Sequence, residues 1–561
     1  MKVQAVEELE SFSMAHLPIV KEYAHRMGIV EIIDNALPCG MHISPGKVLL
    51  GLVMNVLCGR SPVYRVEEFF RVRDVAFLLG DDMSAEKFND DVIGRVLDRV
   101  YHYGTWKMFS EICIKAFHNF DVNCSLVHQD TTSVSVWGEY QPLPGDPFRI
   151  NHGFSKDKRP DLKQFILSLL CVEGNLPCHA RVLDGNASDK KTNGNILMEL
   201  PRIMARYGVG KHEFIYVADS ALATKENLSI MRDDIFFITR LPENFAACGE
   251  LIAKAISSNS WQDVGRLSHR VVKGKDISAS YRLREESLEL YGTNYLAVVV
   301  HSDAHDRRRQ KRIDKAVQKD EVTLNAKARE LSRKKFFCLP DARAAAESFQ
   351  NGAYHQASFV LEECPIYGRG RPCKNETRAV KNIYYRVLVK VSENRMAIER
   401  LREEAGCFVL LSNVPIKEKS GLEILRIYKE QDGIEKNFGF LKDPLVVNDV
   451  FLKKPRRIEA MGLVLVISLL LWRLMERTMR KKAWEKKIIL QGWNNCNTAR
   501  PTSFMMISKF SPIFTGVKAG RRFLFTSLNK VQLDYLSALD VDPAIFTEMN
   551  LRSCGIRSGY H

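Results

Sequence analysis

From Ser125 to Pro242 the chain alternates short apolar runs with amphipathic stretches, and that order constrains its fold more than any other feature. The runs SLVHQDTTSVSVW, KQFILSLLCVEG and PCHARVLDG are bounded by turn residues, which marks three successive strands and predicts an antiparallel meander. A helical pattern follows in NGNILMELPRIMARYG, then a strand in EFIYVADSA, a short helix in TKENLSIMRD and a strand in IFFITRLP. Strands interleaved with helices in this way make an α/β layer, a mixed sheet with helices packed on it.

The other 440 or so residues surround that layer with different textures. Residues 1–120 show apolar positions at three-and-four spacing, as in VKEYAHRMGIVEIIDNAL and PGKVLLGLVMNVLCGR, and are expected to form an N-terminal helical domain that binds DNA. Residues 121–244 hold the first part of the α/β core. Residues 245–405 form a composite insertion with strand-like pieces (YLAVVVHS, YYRVLVKV), a charged helical stretch from Asp303 to Lys335 and the basic turn GRGRP. Residues 406–480 return to the core through the strand CFVLLSNV, a long helix containing YKEQDGIEKNFGFLK and an apolar helix over 458–477. Residues 481–561 form a mixed C-terminal region.

Basic residues exceed acidic ones, 82 against 67, a net charge of +15, which favours an anionic partner through phosphate neutralisation. The 13 cysteines contain no CxxC pair and read as reduced intracellular thiols that pack as small hydrophobes. The charged start MKVQAVEELE lacks the apolar core of an export signal. The longest apolar run, Ala460 to Trp472, is shorter than the roughly 18–20 residues a bilayer span needs. The expectation is a buried helix, no membrane partner and a cytoplasmic, nucleoid-associated protein.

Asp130 in LVHQDTTSV and Asp219 in FIYVADSAL each follow an apolar run. A carboxylate at a strand end points into the crevice where open α/β sheets bind ligands, and two on neighbouring strands can share hard metal ions through oxygen. The bland alternative for each is a turn residue or helix N-cap. His128 shares a strand face with Asp130 but lacks any accompanying His or Cys set, so it is not assigned to a metal. Along a continuous helix, Tyr428, Gln431, Glu435 and Lys442 fall within about 60° of one another, beside an apolar stripe of Ile427, Ile434 and Leu441. That places Glu435 at the border between core and cleft.

The spacing Tyr428, Gln431, Glu435, Lys442 resembles the Y-x2-R-x3-E-x6-K signature of a group of bacterial insertion-sequence DDE transposases. The stretches NHGFSKDKRPDLKQF, LDGNASDK and VADSALATKENL carry further resemblance, in order and spacing, and the likeness runs from the N-terminal helices through the 458–480 helix. One position departs: Gln431 stands where the family usually has Arg, and it donates a hydrogen bond to a phosphate without bringing charge.

The resemblance implies a ribonuclease H-like catalytic core with a large insertion before the last carboxylate. It implies Asp130, Asp219 and Glu435 as catalytic residues and ligands of two Mg²⁺ ions, with Mn²⁺ as a substitute, held about 4 Å apart. It also implies cleavage at transposon-end DNA, strand transfer into target DNA, and a homodimer that synapses two ends. Lys442 and Gln431 are then expected at phosphates and Tyr428 at a terminal nucleotide. Arg240, at the end of the IFFITR strand, is a further phosphate candidate. Arg369 and Arg371 in GRGRP resemble an AT-hook core, with a flexible basic loop as the alternative. The stretch with Arg307, Arg308, Arg309, Lys311 and Arg312 reads either as a DNA-facing strip or as a solvated helix. The other functional reading is a catalytically inactive, transposase-derived DNA-binding regulator.

Overall fold

The computed structural model describes residues 9–548 apart from 39–42, 60, 157–158, 233, 268–270, 273–274, 277, 370–377, 379, 443–451 and 453. The fold is mixed α/β, with a large mixed sheet flanked by helices. Two compact units divide it: Met1–Thr239 with Ile427–His561, and Arg240–Arg426.

The first unit begins with strand β1 (Glu10–Ser13) and helices α1 (Leu17–Arg26), α2 (Ile29–Ala36), α3 (Pro45–Cys58), α4 (Val66–Arg71), α5 (Val75–Leu79), α6 (Asp90–Tyr103) and α7 (Thr105–Asn119). Local chemistry sets their starts: Ser44 caps α3 by accepting the Lys47 N–H at 3.0 Å ahead of Pro45, and Asn89 caps α6 by accepting the Val92 N–H at 3.0 Å.

The sheet strands of this unit are β2 (Leu126–Val136), β3 (Lys163–Val172), β4 (Leu176–Leu183), β5 (Ile215–Val217) and β6 (Phe236–Arg240). Their spatial order is β4-β3-β2-β5-β6. The first three form the antiparallel meander expected from the sequence, with Asp130 opposite Leu169 and Leu169 opposite Ala180. β5 lies parallel to β2, and β6 parallel to β5. Parallel neighbours need crossovers, which helices α8 (Asp189–Ala205) and α9 (Lys225–Met231) supply.

The second unit contains α10 (Ala246–Ser258), β7 (Gln262–Arg266), β8 (Ser280–Leu290), β9 (Thr293–Ser302), α11 (Asp303–Arg333), α12 (Leu339–Glu347), β10 (His355–Tyr367), β11 (Val380–Glu393), α13 (Arg395–Glu404) and β12 (Cys407–Ser412). Strands β12, β9, β8 and β7 pair antiparallel in that order. β10 and β11 form a separate ribbon whose Leu361, Tyr385, Val387 and Val389 pack on Ala342 and Ala346 of α12.

α14 (Gly421–Lys429) carries the chain back to the first unit, followed by α15 (Asp432–Leu441) and α16 (Pro455–Glu485). The single long helix expected around Glu435 is therefore two. The N–H groups of Glu430, Gln431, Gly433 and Ile434 bond to carbonyls three residues back at 3.0–3.2 Å, a tighter 3₁₀ turn in place of an α turn. The apolar stripe survives the break, with Ile427, Ile434 and Leu441 all buried. The four-residue face is divided by the turn, because 3₁₀ residues advance by about 120° and not 100°. Tyr428 precedes the turn and Gln431 lies within it, whereas Glu435 and Lys442 keep a common face along α15 and its C-cap.

α16 organises the unit. It extends the 13-residue apolar run into a 31-residue helix that is, by length and composition, apolar enough to cross a membrane. Its apolar surface is instead spent internally, against α3, α6, α7 and β4, and Leu463, Val464, Val466, Ile467, Leu469 and Leu470 are fully buried. Each such side chain contributes about 1.5–3 kcal/mol of burial. Asp98 of α6 fixes its N-terminal end by accepting from Arg457 at 2.7 and 3.0 Å and from Arg456 at 3.1 Å.

Candidate active site

β2 is eleven residues long, whereas β5 pairs with it only from Leu126 to His128. His128 is level with Val217, and Asp130 and Asp219 each lie two residues further on. The register thus carries both aspartates to the same height, where β2 runs on beyond β5. Asp130 accepts the Thr131 N–H at 2.7 Å. Asp219 accepts the Ala221 N–H at 3.1 Å and caps the 3₁₀ turn Ser220–Leu222, while its carbonyl accepts the Thr239 hydroxyl at 2.7 Å. Asp219 therefore does perform the bland capping role open to an Asp after a strand.

Glu435 stands in the first turn of α15 with its side chain exposed. Two residues on, the fully buried Asn437 anchors the helix. Its amide donates to the Asn175 carbonyl at 2.9 Å and to Cys171 Sγ at 3.4 Å, and its oxygen accepts from Arg473 Nε at 2.6 Å. Arg473 in turn donates to Glu476 at 2.8 Å, all within the packed surface of α16. Cys171 sits opposite His128 on β3, so this network ties the Glu435 helix to the strand pair that carries Asp130.

Among the described residues, no three His, Cys, Asp or Glu side chains are grouped closely enough to hold a metal ion. The register sets Asp130 and Asp219 level on neighbouring strands. Two carboxylates supply the hard oxygen ligands a divalent cation takes but fall short of the roughly six it needs. The pair therefore suits Mg²⁺ or Mn²⁺ only with water, a phosphate or a further carboxylate completing the shell.

Two side chains not singled out in the sequence lie at this end of β2. Lys156, from the NHGFSKDKRP stretch, donates from Nζ to the Thr131 carbonyl at 2.8 Å and hydroxyl at 2.9 Å, next to Asp130. Its backbone N–H donates to Ser133 Oγ at 3.1 Å. Glu430, at the helix break, places Oε2 3.9 Å from His128 Nε2. Burial pushes the His128 pKa down to about 4, so its imidazole is neutral at neutral pH and forms no ion pair with the mostly exposed Glu430.

The geometry also explains why NHGF and LDGN each carry a glycine. Gly153 and Gly185 meet backbone to backbone: a Cβ on Gly185 would lie 1.9 Å from the Gln164 carbonyl, and one on Gly153 would lie 2.1 Å from the Gly185 carbonyl. Gln164 donates to the carbonyls of Gly185 at 2.7 Å and Phe154 at 3.2 Å, which fixes the segment that delivers Lys156. The signal for Lys156 was present in the sequence as a motif, but its target was not.

The other expected contacts are dispersed. Tyr428, Gln431 and Lys442 are half-buried, Tyr428 on α14, Gln431 in the 3₁₀ turn and Lys442 at the C-cap of α15. Arg240 is engaged within the second unit, donating to Glu243 at 2.7 Å with its guanidinium 5.3 Å from the Phe408 ring centre. Arg369 is exposed after β10, and Arg371 lies outside the described residues. One open cleft of about 510 Å³, bordered by Val136, Gly138, His152 and Lys163, lies at the far end of β2. It is six residues, about 20 Å, from Asp130 and contributes nothing to the carboxylate pair.

Residues 9–114 match the family model of a domain of unknown function, DUF4277, which corresponds to β1 and the N-terminal helices through most of α7. No curated protein matches the chain.

Proposed function

We propose that the protein is a DDE-type transposase that cleaves DNA at transposon ends and joins them to target DNA. The observation that carries this reading is the register placing Asp130 and Asp219 side by side where β2 outruns β5. The strand order β4-β3-β2-β5-β6, antiparallel then parallel, supports a ribonuclease H-like core. The matched N-terminal domain is of a kind found in transposase-like proteins. Glu435 enters through its spaced signature and not through proximity.

In this reading Asp130, Asp219 and Glu435 hold two Mg²⁺ ions, which would activate water or a 3′-hydroxyl and stabilise the leaving oxygen. Lys156 and Lys442 supply positive charge to the scissile phosphate, and Gln431 donates to it without charge. Tyr428 faces a terminal nucleotide, and the protein binds two DNA ends as a homodimer.

Purified protein with Mg²⁺ and a duplex ending in the terminal inverted repeats of its element is expected to nick at the repeat boundary. Asp130→Ala, Asp219→Ala and Glu435→Ala are each expected to reduce cleavage by at least a thousandfold while DNA binding persists. Cleavage retained in any of the three removes that residue from the site. Gln431 in the arginine position favours the second reading, a DNA-binding regulator without catalysis. Terminal-repeat binding with no nicking by the unaltered protein in Mg²⁺ or Mn²⁺ would establish it in place of the first.

A further inference from the structure

The charged stretch in the second unit sorts its charges by helix face. With about 100° per residue along α11, Arg308, Lys311, Arg312, Lys315 and Lys319 fall in a sector about 100° wide. All five are exposed. The carboxylates of the same stretch, Asp303, Asp306, Asp314, Asp320 and Glu321, all project outside that sector.

Most of those carboxylates serve the unit's own packing. Asp314 pairs with Arg402 of α13 at 3.1 Å. Asp320 accepts the N–H groups of Ala353 at 3.2 Å and Tyr354 at 3.0 Å, and lies 3.0 Å from His355 Nδ1. Asp303 takes Arg307 at 3.4 Å and the Ser280 N–H at 2.9 Å. Among the described residues, none of the five cations in the sector forms an ion pair. A merely solvated helix gains from mixing its charges at i,i+4 spacing, as Asp303 and Arg307 do, whereas Arg308 with Arg312 and Lys311 with Lys315 and Lys319 repeat like charge at that spacing. His305, at the sector edge, has its pKa held down to about 4, first by burial and then by Arg309, Arg240 and Arg308.

We propose that this face of α11 is a binding surface for the phosphate backbone of duplex DNA, read without regard to sequence. From Arg308 to Lys319 the cations span about 16 Å of helix axis, close to the length of five base pairs. The partner is argued from charge complementarity: a straight row of exposed cations matches a regular row of phosphates. The proposal rests on the DNA-processing reading above but concerns an exposed surface of the second unit and not the carboxylates.

The test measures affinity for duplex DNA against salt, in the full chain, with one random-sequence duplex and one carrying the terminal repeats. Replacing Arg308, Lys311, Arg312, Lys315 and Lys319 together by Gln is expected to reduce the slope of log K against log salt by about 4, equally on both duplexes. The charge-preserving K311R/K315R/K319R variant is expected to keep the slope, and Asp130→Ala to keep it while losing cleavage. An unchanged slope in the Gln variant overturns the surface and leaves the transposase reading standing. Absence of DNA binding by the unaltered protein at 50 mM salt overturns both. Loss of binding to anionic lipid vesicles with an unchanged DNA slope also overturns the proposal.

Discussion

α16 and α11 are each 31 residues long, and they solve opposite problems. α16 is apolar around most of its circumference and keeps its polar groups paired inside, with Arg473 shared between Asn437 and Glu476. α11 buries only Leu324 and Ala328 and carries its charge outside. Length and helical propensity therefore say little about role. What differs is whether a helix spends its side chains on its own fold or leaves them for a partner. The first kind fails when a buried group is unpaired or protonated, the second when its charge is screened.

Arg473 is where that contrast breaks most sharply. Substituting Met removes a buried cation, leaves the Asn437 oxygen without its donor and leaves Glu476 to Arg480 alone. Breaking a buried pair by deleting one partner costs about 3–5 kcal/mol. The expected outcome for Arg473→Met is a loss near the lower end of that range in urea unfolding, because Arg480 still faces Glu476. An unchanged midpoint would mean that the network lends α16 no stability. Because Asn437 holds the helix two residues from Glu435, cleavage is expected to fall further than the stability loss explains, and Asn437→Asp is expected to separate the two effects by keeping the Arg473 contact.

The two helices also show what the sequence made legible. The apolar run at 460–472 was enough to announce a buried helix, because burial follows composition. The meander and the order of strands and helices after it were readable from run lengths and turns. Asp219 follows the end of β5 as expected, whereas Asp130 is the fifth of the eleven residues of β2 and not at a strand end. The helix break after Lys429 has a local signal in Asp432-Gly433, both poor helix formers, which a reading by apolar periodicity alone passes over. Periodicity run through the break placed Tyr428 on the face of Glu435, whereas only Lys442, on the same side of the break, keeps it. Lys156 was missed because its partner, Thr131, is 25 residues away and only the Gly153–Gly185 approach brings them together. The segregation of charge on α11 was present in the sequence but became interpretable only once the carboxylates on its other faces were seen occupied.

Acid should find the first unit through a buried histidine. His16, fully buried at the start of α1, places Nε2 3.2 Å from the Leu57 carbonyl on α3, and burial drives its pKa from 6.5 down to about 4. The unfolded chain therefore takes up the proton first. The stability contribution is whole above about pH 6.5 and is lost as pH falls from there toward 4, by about 3 kcal/mol in total. His16→Gln is expected to flatten that part of the stability curve measured by urea unfolding between pH 7 and 4. An equally steep curve in the variant would move the acid sensitivity to another group, such as the buried His179, whose pKa is likewise about 4.

The smallest expected effect is the most discriminating for α11. Lys315 is exposed at the centre of the cationic sector, so Lys315→Ala removes no packing and breaks no ion pair among the described residues. Its melting temperature is expected to stay within about 2 °C of the unaltered protein, as for surface substitutions generally. Its salt slope for DNA is expected to change by about 1, the share of one phosphate contact. A large fall in melting temperature would make Lys315 part of the fold and erase the distinction between the two helices. A stable variant with a shallower slope would place the work of α11 outside the protein, on the partner.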